Sequence, residues 1–187
     1  MSDNHATPTP LRIVGLDLSL TATGVATIRG TEMSARTVRS KGKTDDGLLT
    51  RAVRLHKLTL DVLGWAALGD IVIIEQPAYG QTGGSHHDRS GLWWLVMDAL
   101  TDDIDSERFA EVTPQGVKMY ATGKGNASKS EVLAAVLKRY PAADVANDNE
   151  ADAFVLAAIG ARLAGQPIEE SLPAANLRAI DKVRWAA

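Results

Sequence analysis

The sequence predicts an α/β fold in which a mixed β-sheet is flanked by helices on both faces. Three short segments rich in β-branched residues follow one another through tight turns, over residues 11–19, 24–29 and 33–39, which indicates a meander of antiparallel strands. Helical and strand patterns then alternate, and each crossover to a parallel strand must pass over one face of the sheet.

The first half of the chain contains four of the expected strands and one helix. Residues 11–19 are almost continuously apolar, so this strand is expected to be covered on both faces. Apolar residues recur at steps of three and four over residues 47–68, which predicts an amphipathic helix. A buried strand is expected over residues 70–75, followed by a loop rich in Gly, Ser and His over residues 77–90.

The second half is expected to be mostly helical. Pro114 stands where proline is favoured, at the first position of a helix. Ser128 is followed three residues later by Glu131, the pattern of a capping box. The expected elements are a helix over 91–101, a strand over 109–112, helices beginning at 114 and 128, a helix over 148–163 and a weakly amphipathic tail helix over 177–185.

Length and composition indicate one domain with a substantial core. A chain of 187 residues buries enough surface to fold without disulfides or structural metals. We expect a polar tail over residues 1–10, a domain over 11–165 and an extension with a short helix over 166–187. The absence of cysteine excludes thiol chemistry and suits a reducing compartment. With no apolar run long enough to span a bilayer, a cytoplasmic location without membrane association is expected.

Two carboxylates stand where a buried strand should be apolar. Asp17 lies within the first strand and Glu75 ends the fourth. An unpaired buried charge costs several kcal/mol or more, so each group must be neutralised, paired or bound to a cation. Considered alone, Asp17 could pair with a nearby hydroxyl or a lysine. Glu75 alone could be a carboxylate at a strand end that faces solvent.

A third acidic cluster begins the helix over residues 148–163. Asp152 shares a helix face with Asn149 and Asp148, which precede it by three and four residues. Oxygen donors without Cys or a His cluster suit Mg²⁺ or Mn²⁺ rather than zinc. On its own this cluster also fits an ordinary helix N-terminus with favourable acidic residues. The three acidic positions together favour a metal site.

These residues resemble the RuvC-like Holliday junction resolvases of the RNase H-like superfamily, particularly the versions carried by bacteriophages. Matching segments run in the family's order over about residues 11–165: 13–24, 73–77, 112–114, 118–129 and 148–153. The resemblance implies a five-stranded mixed sheet with the first and fourth strands adjacent. It also implies that Asp17, Glu75 and Asp152 hold two divalent ions, Mg²⁺ with Mn²⁺ as a substitute.

The activity that the resemblance implies is metal-dependent cleavage of branched DNA. A crossover junction endodeoxyribonuclease of this kind nicks opposing strands of a four-way junction symmetrically and leaves 5′-phosphate and 3′-hydroxyl ends. One departure concerns the helix pair, because the family has two Asp three residues apart whereas here Asn149 precedes Asp152. We therefore expect either Asp148 or Asn149 to supply a fourth ligand, and we slightly prefer Asn149.

A basic stretch over residues 113–140 is a candidate DNA-binding surface. It carries five basic residues against one acidic residue, a net +4 in a chain of net −3. The resemblance places Lys118 and Lys129 close to the scissile phosphate, with Lys129 also a candidate for catalysis. Lys124 and Ser128, at a helix start, are candidate phosphate contacts. The alternative is a solvated helix face with an ordinary cap.

Aromatic and His residues after the fourth strand carry further expectations. Tyr79 is a candidate for stacking on an unpaired base. His86 and His87 are adjacent in a loop and are expected to be exposed rather than metal ligands. The helix after this loop is apolar almost all round, and in the resembled family it forms a twofold interface. A homodimer with Trp93 or Trp94 among its anchors is therefore expected.

Three other functions compete with the junction resolvase. An RNA-processing nuclease of the same fold is the first, and a junction-binding protein with weakened catalysis, suggested by Asn149, is the second. Residues 17–24 also resemble a phosphate-binding hairpin of actin-like kinases. Those proteins need a second hairpin and an adenosine pocket, for which 187 residues leave no room.

Overall fold

The computed structural model describes residues 9–77, 85–101 and 108–185. Within these residues the chain forms six strands and six α-helices. The strands are β1 (Arg12–Asp17), β2 (Ala22–Arg29), β3 (Glu32–Arg39), β4 (Ile71–Glu75), β5 (Phe109–Val112) and β6 (Arg184–Trp185). The helices are α1 (Leu48–Ala66), α2 (His86–Thr101), α3 (Pro114–Thr122), α4 (Lys129–Arg139), α5 (Asp148–Leu163) and α6 (Ala174–Leu177).

The strands form one mixed sheet in the order β3-β2-β1-β4-β5-β6. The first three strands pair antiparallel, as the meander pattern predicts, and β4 and β5 add in parallel on the other side of β1. The expected adjacency of the first and fourth strands is confirmed. The expected count of five strands is wrong, because β6 pairs antiparallel with β5.

The tail helix expected over residues 177–185 is mostly absent, and its last two described residues form β6. The helical part of this segment is α6, which ends at Leu177, and a short 3₁₀ turn over Ile180–Lys182 precedes β6. A strand of two residues has no periodicity of its own, so the open edge of β5 determines its conformation.

The start of the second helix also differs from the expectation. The loop predicted over residues 77–90 is helical from His86 onward, whereas residues 78–84 lie outside the described residues. The first turn of α2 is polar, with His86 and His87 exposed, so apolar periodicity begins only at Leu92. No helix in the described ranges is both long and apolar enough to cross a membrane.

Two layers of helices cover the sheet, and strand alternation decides which side chains meet each layer. Val14 and Leu16 of β1 pack with α1 and α2, whereas Ile13 packs on the opposite face with α3, α4 and α5. Because successive side chains of a strand point to opposite faces, Asp17 shares the face of Ile13. By the same alternation Glu75 shares the face of Ile73, which also packs with α5.

The central helix α5 lies unusually close to the sheet because glycines face it. A Cβ on Gly15 would lie 2.1 Å from the backbone oxygen of Ala153, and one on Gly24 would lie 2.0 Å from that of Asn149. A side chain at either position would therefore displace the helix. The two glycines allow α5 to bring Asp152 down to the ends of β1 and β4.

A buried polar network attaches the C-terminal segment to the helices. The Tyr120 hydroxyl donates to Oε1 of Glu169 at 3.0 Å, and the Tyr140 hydroxyl donates to the same oxygen. Arg162 donates to Oε2 of Glu169 at 2.8 Å and to the Tyr120 oxygen at 3.0 Å. Residues 166–185 therefore pack on the same body as residues 11–165, and the domain boundary at residue 165 stays a prediction.

Candidate metal centre

The three acidic residues singled out from the sequence lie together at one end of the sheet. Asp17 ends β1 and Glu75 ends the neighbouring parallel strand β4, while Asp152 lies in the second turn of α5. One carboxylate oxygen from each lies within 4.8 Å of the other two. We call these three residues the acidic cluster.

Burial makes the negative charge of this cluster costly. It raises the pKa of Asp17 to about 6 and that of Asp152 to about 7, with neighbouring carboxylates adding to the shift. The pKa of Glu75 is raised to about 9 by burial and then by the charges of Asp17 and Asp152. Three crowded carboxyls whose charged forms are disfavoured need a cation to ionise together at neutral pH.

The donor set fits a hard divalent cation. All three side chains offer carboxylate oxygens, the ligands that Mg²⁺, Mn²⁺ and Ca²⁺ prefer over zinc. The acidic cluster combines this donor chemistry with a spacing that allows several oxygens to meet one ion. Asp17, Glu75 and Asp152 are therefore the residues that would hold a metal here.

Lys129 is the cation whose charge acts on all three carboxyls of the cluster. Its Nζ donates to Oδ2 of Asp148 at 3.0 Å, and 62% of its side chain is exposed. Partial burial lowers the pKa of Lys129, but the hydrogen bond and charge of Asp148 outweigh this and raise it overall.

Asp148 and Asn149, the two candidates for a fourth ligand, differ in their surroundings. The Asp148 carboxylate pairs with Lys129, which lowers the pKa of that carboxyl. The Asn149 amide makes no side-chain hydrogen bond to another described residue. Asn149 precedes Asp152 by one helical turn and so lies on the same face of α5. The side-chain oxygen of Asn149 is therefore available to bind a metal ion.

The other candidate DNA contacts occupy distinct positions. Lys118 on α3 is half-buried and close enough to Asp152 to act on its charge. Lys124 is exposed and acts on the charge of Glu131 instead. Tyr79 lies outside the described residues.

Ser128 is committed to the N-terminus of α4. Its hydroxyl accepts from the Glu131 backbone at 3.3 Å, and its own backbone N–H donates to the Glu131 carboxylate at 2.7 Å. This confirms the predicted capping box. It also places a negative carboxylate where a phosphate was expected, and phosphate binding by Ser128 stays a prediction.

Trp93 has a positioning contact that sequence reasoning missed. Its indole Nε1 donates to the backbone oxygen of Glu75 at 3.1 Å and so fixes the end of β4. Trp93 is 8% exposed and lines a cavity of about 190 Å³ beside Asp17 and Glu75. His86, on the first turn of α2, lines the same cavity. The apolar pattern of α2 predicts burial of a Trp but not which backbone oxygen it meets.

Comparisons with known proteins identify the fold. No family model matches this chain, and no curated protein matches it either. Among solved structures, RuvC of Thermus thermophilus matches with 20% identity and a TM-score of 0.59, over 83% of this chain and 98% of that one. A structure of the same RuvC in complex with Holliday junction substrate matches with 16% identity and a TM-score of 0.59, over 83% and 97% of the two chains. At this level of identity the likeness concerns the fold, and this chain therefore has the RuvC-like form of the RNase H-like fold.

Proposed function

We propose that this protein is a metal-dependent endonuclease that resolves Holliday junctions and other branched DNA. The observation that carries the proposal is the convergence of Asp17, Glu75 and Asp152 within 4.8 Å at the end of a RuvC-like sheet. The match to RuvC in complex with Holliday junction substrate supports branched DNA as the substrate class. We include in the proposal that the protein is a resolvase of the bacteriophage type, which its sequence segments resemble.

Each residue of the site has a separate task in this proposal. Asp17, Glu75 and Asp152, with the Asn149 oxygen, hold two Mg²⁺ ions. Metal ions held by these residues would activate the attacking water and stabilise the leaving 3′ oxygen, which would give 5′-phosphate and 3′-hydroxyl products. Lys129 and Lys118 neutralise the scissile phosphate from the rim, where their charge already reaches the cluster.

We also propose that the active form is a homodimer. On α2, Trp94 is 67% exposed and Leu95 is 42% exposed, while the adjacent Trp93 points inward. Of the two Trp candidates, Trp94 is therefore the one that offers apolar surface to a second copy of the chain. Two sites related by a twofold axis fit the opposed strands of a four-way junction. The proposal includes a cytoplasmic location, because a chain without cysteine suits a reducing compartment.

Cleavage of a labelled four-way junction in Mg²⁺ tests the proposed function directly. Duplex, forked DNA and RNA substrates of equal length are the controls for substrate class, and Asp152→Asn is the control for the site. We expect paired nicks in the junction by the wild-type protein and none by the variant. Cleavage of RNA in preference to junctions would overturn the proposal.

A second candidate rests on the neutral side chain of Asn149. Without a fourth carboxylate, the protein would bind junctions and cleave them weakly. Asn149→Asp separates the two functions, because it adds the missing charge on the same helix face. If the variant cleaves at least about a hundredfold faster than the wild type while binding equally well, the wild-type protein is principally a junction binder.

A further inference from the structure

A second basic surface involves α1, which packs on the face of the sheet opposite to α4, the helix that carries Lys129. The segment over residues 36–57 contains seven Lys and Arg residues against two Asp, a net +5 in a chain of net −3. This excess exceeds the net +4 of residues 113–140, and nothing in the proposed chemistry uses it. It occupies the end of β3, the connection to α1 and the first half of α1.

Three neighbouring depressions connect this segment to the acidic cluster. The cavity lined by Asp17 and Glu75 reaches Arg89. A depression of about 630 Å³ shares Arg89 and is lined further by Lys43 and Arg54. A third depression shares Arg54 and continues along α1. Its cationic lining is completed by Arg39, Lys41 and Lys57. We call the second and third depressions together the basic groove.

Two arginines hold the walls of the basic groove in place. Arg54 donates from Nε to the Ser40 hydroxyl at 2.9 Å and from a terminal nitrogen to the Leu20 backbone oxygen. Arg51 pairs through two nitrogens with the Asp88 carboxylate. These contacts attach α1 to the β1–β2 turn and to the first turn of α2. They therefore fix the positions of the elements that line the groove.

Gly42 keeps the chain close to this floor. A Cβ at Gly42 would lie 2.0 Å from a guanidinium nitrogen of Arg54, so the backbone crosses directly over that group. The crossing places Lys41 and Lys43, the neighbours of Gly42, on the two depressions that share Arg54.

Four cations of the basic groove are exposed and uncommitted. Their side chains make no hydrogen bond or ion pair with any other described residue. They are Arg39, Lys41, Lys43 and Lys57. The linings of the two depressions contain seven basic side chains against three acidic ones, Asp46, Asp61 and Asp88, and Asp88 is already paired with Arg51. A row of exposed cations beside a phosphodiester-cleaving site matches the charge of a nucleic-acid backbone.

We propose that the basic groove binds the phosphate backbone of a DNA arm of the branched substrate as it leaves the acidic cluster. This inference rests on the proposed function and adds a second contact surface to it. The side chains make contact with phosphates, so the groove contributes affinity and orientation and carries no base preference.

The test measures junction binding without metal, so that no cleavage interferes. Fluorescence anisotropy with a labelled four-way DNA junction in EDTA compares the wild type with Lys41→Ala/Lys43→Ala over a range of salt. The matched control is Arg29→Ala/Lys182→Ala, which removes two exposed cations away from the groove. We expect weaker binding by the groove variant and a log–log salt slope shallower by about 1.8, or about 0.9 for each lost phosphate contact.

The outcomes separate this inference from the proposed function. Unchanged affinity and slope in the groove variant, or an equal loss in the control, would overturn the groove assignment alone. Lys41→Arg/Lys43→Arg should bind like the wild type, and failure to do so would also contradict it. A groove effect confined to an RNA duplex of equal length counts against a DNA arm. A wild-type protein that binds no DNA overturns the proposed function and the groove together.

Discussion

Burial favours the protonated, neutral forms of Asp17, Glu75 and Asp152, whereas a bound cation requires their ionised forms. Their raised pKa values describe the protein without metal, in which protons take the place of the cation. Protons and metal therefore compete for the same oxygens. The competition makes both metal affinity and stability depend on pH.

The metal-free protein should lose stability as the pH rises. Groups whose pKa is higher in the folded state bind extra protons on folding, so their contribution is complete below the unfolded values of 3.8 and 4.5 and is lost as the pH passes about 6, 7 and 9. Glu75→Gln should therefore stabilise the protein in EDTA by more than about 1 kcal/mol at alkaline pH.

Chemical denaturation in EDTA across this pH range measures the effect. At acid pH the wild type and Glu75→Gln should have similar stability, because Glu75 is then protonated. Addition of Mg²⁺ should stabilise only the wild type. A stability difference that does not change with pH would contradict the argument.

Asp148 and Asn149 should have different effects on metal and substrate. Asn149→Ala removes an uncommitted oxygen from the face of Asp152 and should weaken Mn²⁺ binding by about tenfold or more. Asp148→Asn frees Lys129 from its partner and removes a negative charge beside the phosphate site, so it should lower KM for the junction and change Mn²⁺ affinity less than Asn149→Ala does. Calorimetric Mn²⁺ titration and cleavage kinetics measure the two effects. The reverse pattern would assign the fourth ligand to Asp148.

At the scale of elements, the site depends on how closely α5 approaches the sheet. Gly24→Ala should destabilise the protein by about 1–3 kcal/mol, the usual cost of overpacking, because the added Cβ meets the Asn149 backbone. It should also weaken Mn²⁺ binding, since the displaced helix carries Asp152. Thermal denaturation and Mn²⁺ titration measure both effects.

Gly64→Ala in α1 is the matched control for this substitution. A Cβ at Gly64 meets nothing within 4 Å, so alanine should stabilise the helix by up to about 1 kcal/mol. If Gly24→Ala behaves like Gly64→Ala, the close approach of α5 does not position the site.

Strong local patterns made most elements predictable from sequence. β1 shows a continuous apolar run, and α4 begins with the Ser128–Glu131 capping box that the structure contains. The elements that differ depend on tertiary partners: β6 exists because β5 offers an open edge, and the polar first turn of α2 contacts α1 through Arg51 and Asp88.

The acidic members of the candidate site were predictable from the residues themselves, and the family resemblance added Lys118, Lys129 and Asn149. Carboxylates in apolar strands stand out in a sequence because their burial is costly. The Trp93 contact with the Glu75 backbone has no sequence signal, since it depends on the position of α2 over β4. The charge excess of residues 36–57 was present in the sequence, but only the shared depressions connect it to the site.

At the scale of the whole molecule, one buried carboxylate joins the C-terminal segment to three helices. Glu169→Gln should reduce the free energy of unfolding by about 3 kcal/mol, because it leaves the Arg162 charge without its partner in a largely buried place. Urea denaturation measures the loss. The neighbouring exposed Glu170→Gln is the control and should change stability little, so equal effects would contradict the assigned role of the network.

Self-association should depend on the exposed face of α2. Trp94→Glu should shift a dimer to monomer, because it puts a charge at the proposed apolar contact. Sedimentation velocity measures the change. Leu137→Ala on α4 removes a 47%-exposed apolar side chain from the opposite layer and should leave the dimer intact. A monomeric wild type at working concentration, with and without DNA, would contradict the dimer.

The two borders of the sheet affect how this protein can meet other chains. One border is β3, whose Arg36 and Arg39 add charge along its length, and the other is β6, which is only two residues long. Charged or very short outer strands discourage strand addition by a second polypeptide. Association and aggregation through backbone pairing are thus disfavoured at both borders, which leaves helices and loops as the surfaces for assembly.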